Sequence, residues 1–130
     1  MAIESSRLAT GNTTLLTIPS GKEYAITTII FCNTYNPNPL DRDEGEANFD
    51  LHLINESEII SAGSVSSAIA NNNRVINRLN LKAGESYSFN SEKLILSPGD
   101  AIAVVASPDQ NPGSPTGFTN LSATLSYLEV

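Results

Sequence analysis

The chain has 130 residues and a mass of 13.8 kDa, the size of one domain. It carries 7 Lys and Arg against 14 Asp and Glu, a net charge of −7, which argues against nucleic-acid binding because a phosphate backbone needs a stripe of basic residues. The chain does not begin with a basic region followed by an apolar run, and no apolar segment approaches the roughly 18 residues of a membrane span. We therefore expect no signal peptide and no membrane insertion.

Small neutral polar residues replace much of the usual charge. Charged residues are 16% of the chain, below the roughly 25% of an ordinary soluble domain. Asn, Ser and Thr number 14, 16 and 10, while 40% of the residues are hydrophobic. This composition indicates one aliphatic core surrounded by surfaces of hydroxyl and amide groups.

The first half of the chain contains two clear strand patterns. Residues 1–10 are expected to form an N-terminal arm or an edge strand, and residues 11–130 the domain itself. Residues 23–32 are rich in β-branched side chains and lack a helical stripe. Residues 47–54 alternate, so that Phe49, Leu51 and Leu53 point one way while Asn48, Asp50 and His52 point the other.

The second half repeats these patterns around turns. Apolar alternation flanks Ala83-Gly84, apolar runs flank the turn Ser97-Pro98-Gly99-Asp100, and residues 121–130 alternate again. Residues 55–73 predict one short helix at most. The pattern predicts an all-β fold: a single antiparallel β-sandwich of jelly-roll type with about seven to eight strands.

Two proline-containing stretches, residues 33–45 and 106–117, predict long exposed loops, because proline cannot donate to a strand ladder. Long loops in a compact domain are commonly functional or partner-bound. Partner contact is therefore predicted at positions in these loops, namely Pro37, Pro39, Asp41, Asp43 and Pro112.

Residues that could carry chemistry are few. A single histidine and a single cysteine do not supply a zinc site or a nucleophile with its base, so we expect no enzyme activity and no cofactor. Cys32 is interpreted as a small buried hydrophobe. His52 is interpreted as a surface histidine on the polar side of its strand, or alternatively as a hydrogen-bonding group at a subunit contact.

The best metal candidate is a weak one for calcium, formed by Asp41, Asp43 and Glu46. The spacing does not fit an EF-hand, because Gly45 comes one place early and His52 stands where the closing Glu should be. A solvated acidic loop is the favoured interpretation, and no metal site is predicted.

Two segments resemble small virion proteins of tailed bacteriophages. In residues 17–34, Pro19-Ser20-Gly21-Lys22 leads into Ile26-Thr27-Thr28-Ile29 and ends at Asn33-Thr34. In residues 94–102, a Leu-x-x-Gly-Asp-x-Ile hairpin ends at Ile102. The two segments are similar to fold motifs of that family and cover about a third of the chain.

The resemblance implies a non-enzymatic virion protein, made in the host cytoplasm and present in many copies. A capsid decoration or cement protein fits best, with itself as a homo-oligomer and a major capsid or tail protein as partners. The arm implied by this interpretation would place Ile3, Arg7 and Leu8 against a neighbour. Two alternatives stay open: a tail, neck or fibre-associated module that recognises a host glycan or another virion protein, and a binding module unrelated to phages.

Overall fold

A computed structural model describes residues 2–35, 46–108 and 118–130, and the side chains in these ranges except those of residues 91–93, 108 and 118. The strands in these ranges are β1 (Ala2–Ala9), β2 (Gly11–Thr17), β3 (Tyr24–Asn33), β4 (Ala47–Ile54), β5 (Arg74–Leu81), β6 (Ser86–Leu96), β7 (Ala101–Pro108) and β8 (Phe118–Glu129).

The strands form two four-stranded antiparallel sheets. The first sheet has the order β1-β8-β3-β6 and the second the order β2-β7-β4-β5. Strand β1 pairs with β8, β2 with β7, β3 with β6 and β4 with β5, as in a long hairpin folded over on itself. This pairing is the jelly-roll arrangement. The predicted all-β antiparallel sandwich is confirmed.

The core lies between the two sheets and is built from alternate residues of the central strands. From the first sheet, β3 contributes Ile29 and Phe31, both fully buried. From the second sheet, β4 contributes Phe49 and Leu51, which are buried to the same extent. The rings of Phe31 and Phe49 stack across the sheets with centroids 4.1 Å apart, so aromatic contact joins the two inner faces at their centre.

The turns within residues 17–34 and 94–102 lie side by side. Each carries the chain between the sheets, from β2 to β3 and from β6 to β7. The Ile18 amide donates to the Asp100 carbonyl and the Gly99 amide donates to the Ile18 carbonyl, both at 2.9 Å. Gly99 has a φ of 86°, and a Cβ there would lie 2.6 Å from the Glu56 side chain. Both motifs therefore have a structural role.

The segment between β4 and β5 contains more helix than predicted. Helices α1 (Glu56–Ala62) and α2 (Val65–Ala68) are followed by a 3-10 turn (Asn71–Asn73), so the expectation of one short helix at most is wrong. Local capping explains the difference. The Asn55 side chain accepts from the Glu58 amide and the Ser64 side chain from the Ser67 amide, which starts both helices.

The helices are short, and no helix among the described residues is long and apolar enough to cross a membrane. They pack on the outer side of the second sheet, where Ile59, Val65 and Ile69 contact a small cluster formed by Ile54, Ala68 and Ala103. The outward surface of the second sheet is therefore partly covered by the chain itself.

Candidate interaction surface

The outer face of the first sheet carries no helical segment among the described residues and, among the described side chains, only one charge. Strand register fixes its members, because directly opposed residues share a face. We call this surface the neutral face; its outward residues are Ile3, Ser5, Arg7, Ala25, Thr28, Ile30, Cys32, Ser86, Ser88, Asn90, Ile95, Ser122, Thr124, Ser126 and Leu128.

The rows of this face run straight across all four strands. One row joins Ser5, Thr124, Ile30 and Ser88, which stand directly opposite one another in β1, β8, β3 and β6. The hydroxyl oxygens of Ser5 and Thr124 are 3.2 Å apart. Hydroxyl side chains of this kind can hydrogen-bond to one another, and because they are short they protrude little from the sheet.

Large apolar side chains are interspersed among the hydroxyl groups. Ile3 is 67% exposed, Ile95 56% and Ile30 40%. In a protein of net charge −7, these side chains lie on a surface to which the described acidic residues do not contribute.

Arg7 is the one charged side chain among the described residues of the neutral face, and its charge is already engaged. Its Nε donates to the Thr119 carbonyl at 2.8 Å, and a terminal nitrogen donates to Asn120 Oδ1 at 2.9 Å. The guanidinium is therefore held at the end of the face by its own chain. Desolvating the other described side chains of the face would not require an ion to leave water, which is the most costly part of burying a surface.

The outer face of the second sheet differs, because a buried polar cluster lies under its helices. Asn73 Nδ2 donates to the Ala68 carbonyl at 2.7 Å and to Glu58 Oε2 at 3.0 Å. Its Oδ1 accepts from the Ala70 amide at 3.2 Å and lies 2.7 Å from His52 Nδ1. Because this oxygen can only accept, Nδ1 of His52 carries the hydrogen.

His52 is fully buried, so the expectation of a surface histidine, and that of a subunit contact, is corrected. The strand pattern placed its side chain on the correct side of β4, opposite Ala103 of β7 and Arg74 of β5. The covering segment that follows removes that side from water. His52 Nε2 is enclosed and meets no hydrogen-bonding group among the described residues.

The uncovered remainder of the second sheet is charged and held by specific pairs. Asp50 accepts from the Arg78 amide and lies 3.8 Å from the Arg74 guanidinium. Asn80 donates to Asn48 at 2.8 Å. A shallow cavity of about 180 Å³ beside Asp50 is lined by Asn48, Phe49, Asp50, Arg78, Val105 and Ser107. The Asp50 carboxylate and the Asn48 amide in its lining are already paired with other groups of the chain.

The predicted contact residues are placed in three different ways. Ile3 is exposed on the neutral face, and Arg7 lies at its end. Leu8 is fully buried and belongs to the core of its own chain, because side chains alternate along β1. Pro37, Pro39, Asp41, Asp43 and Pro112 lie outside the described residues, as do two of the three calcium candidates.

Glu46, the third calcium candidate, lies 3.4 Å from the Asn80 amide nitrogen. No group of three or more His, Cys, Asp or Glu side chains that could hold a metal occurs among the described residues. Cys32 is half-buried and not fully enclosed as expected, because Phe31 and Asn33 on either side of it are the residues that point inward.

Sequence reasoning missed most of the neutral face. The signal was present in β8, where Leu121, Ala123 and Leu125 alternate with the hydroxyl residues Ser122, Thr124 and Ser126. Strand order brings the matching positions of four strands together, and the sequence pattern does not contain that order.

No family model matches the chain, and no curated protein or solved structure matches it either.

Proposed function

We propose that the protein is a non-enzymatic structural protein of a phage virion, and within the virion a capsid decoration or cement protein that attaches through the neutral face. The observation that carries this proposal is the separation of charge in the molecule. Among the described acidic side chains, Glu4 lies on the inward side of edge strand β1, and the others lie on the second sheet, on helix α1, in turns or at strand ends. The outward rows of the first sheet contain none of them.

Protein contact explains such a separation better than solubility does. The centres of protein interfaces are depleted in charged residues, since each buried ion must be matched by a partner. A face exposed only to water has no such restriction, and adding charges to it favours solubility. The exposed side chains of Ile3, Ile30 and Ile95 supply apolar area that contact with another protein would bury.

The fold and its two turns give the proposal its virion context. Jelly rolls are common among viral capsid domains, although they also occur in lectins and cupins, so this support is by analogy. The paired turns at Ile18 and Gly99 are the segments that resemble phage virion proteins. They stabilise the crossing between sheets and leave the neutral face free.

Binding to capsid shells tests the proposal. Shells assembled from the capsid protein encoded in the same genome should cosediment with the purified chain, and the bound amount should saturate at a fixed number of copies per capsid subunit. Failure to bind such shells, together with binding to a glycan array, would contradict decoration and favour a tail module that recognises host sugars.

A further inference from the structure

The four edge strands of the sandwich are not equally protected against pairing with another chain. Strand β5 has two register shifts and a residue of positive φ, Arg78, which distort its free edge. The register of β6 shifts in the middle of the strand, and that of β2 shifts between Thr14 and Leu16. Bulges of this kind are a common way to prevent edge-to-edge association.

Strand β1 lacks this protection along most of its length. Its pairing with β8 runs without a shift from Ala2 to Arg7, and the shift comes only at the end of the strand. It contains no proline, and Glu4 and Arg7 balance each other in charge. Its second edge has no strand partner among the described residues. The backbone groups there form a regular template for an added strand.

We propose that β1 pairs with β1 of a second copy in antiparallel orientation, across a twofold axis perpendicular to the first sheet. This inference rests on the proposed function, because it supplies the dimer through which the neutral face would bind. A twofold axis in this direction keeps the outward residues of both copies on one side. The two neutral faces then form one continuous surface of eight strands.

The area of the neutral face favours a second copy of the chain as the partner of β1. With strands about 4.8 Å apart and about 3.3 Å per residue, one neutral face measures roughly 20 by 25 Å, or about 500 Å². A stable protein interface buries about 800 Å² on each partner. One copy alone falls short of that value, whereas two copies joined at β1 present about 1,000 Å².

Charge disfavours two registers of the pairing. A register centred on Glu4 or on Arg7 places like charges directly opposite each other, which destabilises a strand pair. Centring on Ser5 avoids both contacts: Glu4 lies opposite the partner's Ser6, and Ile3 lies opposite the partner's Arg7. Ser5 then stands opposite its own copy, and it is exposed on the neutral face.

A charge-swap experiment tests the pairing. By sedimentation velocity, the wild-type chain should be a dimer, while Ser5→Lys and Ser5→Glu should each dissociate at least about tenfold more readily, because like charges would oppose each other. An equimolar mixture of the two variants should restore the dimer. Ser88→Lys is the matched control, since Ser88 lies in the same row at the opposite edge and should leave the dimer intact.

Each other result overturns the pairing. A monomeric wild type, a dimeric Ser5→Lys variant or a mixture that stays monomeric would exclude contact at Ser5, and dimers of Ser5→Glu alone would exclude this register. Sedimentation and shell binding of the wild type distinguish the two proposals. If the wild type is monomeric but binds shells, the pairing fails while decoration stands; if the swap restores the dimer but shells do not bind the wild type, decoration fails while the pairing stands.

Discussion

The same alternation of side chains gives each sheet an outer face, but one of these faces is partly covered by helices and the other is exposed. On the second sheet, helices α1 and α2 cover part of the face, and His52 and Asn73 form a buried cluster beneath them. On the first sheet, the hydroxyl and isoleucine side chains have no such cover among the described residues. The difference indicates that the second sheet is completed within the chain, whereas the first is available for contact with another molecule.

The largest expected effect concerns β1, which serves both the core and the neutral face. Leu8→Ala should lower the free energy of unfolding by about 2–5 kcal/mol, because it leaves a cavity in a fully packed core. Ile3→Ala, on the exposed side of the same strand, should change stability by less than about 0.5 kcal/mol. Urea denaturation of both variants measures the contrast, and equal losses would contradict the assignment of faces in β1.

Substituting Asn73 on the second sheet should cost much more stability than substituting an asparagine on the neutral face. Asn73→Ala leaves three groups without their partner, namely the buried His52 Nδ1 and Ala68 carbonyl and the partly buried Ala70 amide. We expect a loss of about 2–4 kcal/mol, since each unsatisfied buried group costs about 1–3 kcal/mol and water can reach some of them. Asn90→Ala, on an exposed edge strand, is the matched control and should cost less than about 0.5 kcal/mol. Similar melting temperatures for the two variants would contradict the burial of the His52–Asn73 cluster.

Asp50 tests whether the uncovered part of the second sheet is held by specific pairs. Asp50→Ala should cost about 1–2 kcal/mol, because the Arg78 amide loses its acceptor at a residue of positive φ. Asp50→Asn should retain most of the stability, since an amide oxygen still accepts that hydrogen bond and the contact with Arg74 is partly exposed. A lower free energy of unfolding for Asp50→Asn than for Asp50→Ala would contradict this account.

The smallest expected effect is a pH dependence in the first sheet. Burial, followed by the hydrogen bond to Glu4, raises the pKa of Tyr127 above its ordinary value of 10.0. The folded state therefore holds this proton more tightly than the unfolded state, and the corresponding stability is present below pH 10 and lost as pH rises through the folded pKa. Tyr127→Phe should reduce the slope of stability against pH in that alkaline range. An unchanged slope would show that Tyr127 does not contribute.

The strands with clean alternation were predictable from sequence, and the others were not. β4 and β8 alternate between core and surface residues along most of their length, so both the elements and their inner faces could be predicted. β2 was missed because Asn12, Thr13 and Thr14 at its start are all polar. The first half of β5 was missed because its bulges interrupt the two-residue period.

His52 shows where local pattern stops being informative. Alternation fixes the side of the sheet to which a residue points, and for His52 that side was predicted correctly. Burial depends in addition on what packs against that side, here a segment about twenty residues further along the chain. The neutral face depends in the same way on strand order, since its rows join residues from both ends of the chain.

A pair of matched lysine substitutions tests most directly the claim that the neutral face is the contact surface. Thr124→Lys introduces a charge at the centre of the neutral face, and Thr14→Lys introduces the same charge on an exposed edge strand of the second sheet. Both variants should remain folded. In cosedimentation with capsid shells, Thr124→Lys should lose binding while Thr14→Lys binds like wild type. Normal binding by Thr124→Lys, or equal loss by both variants, would contradict the account.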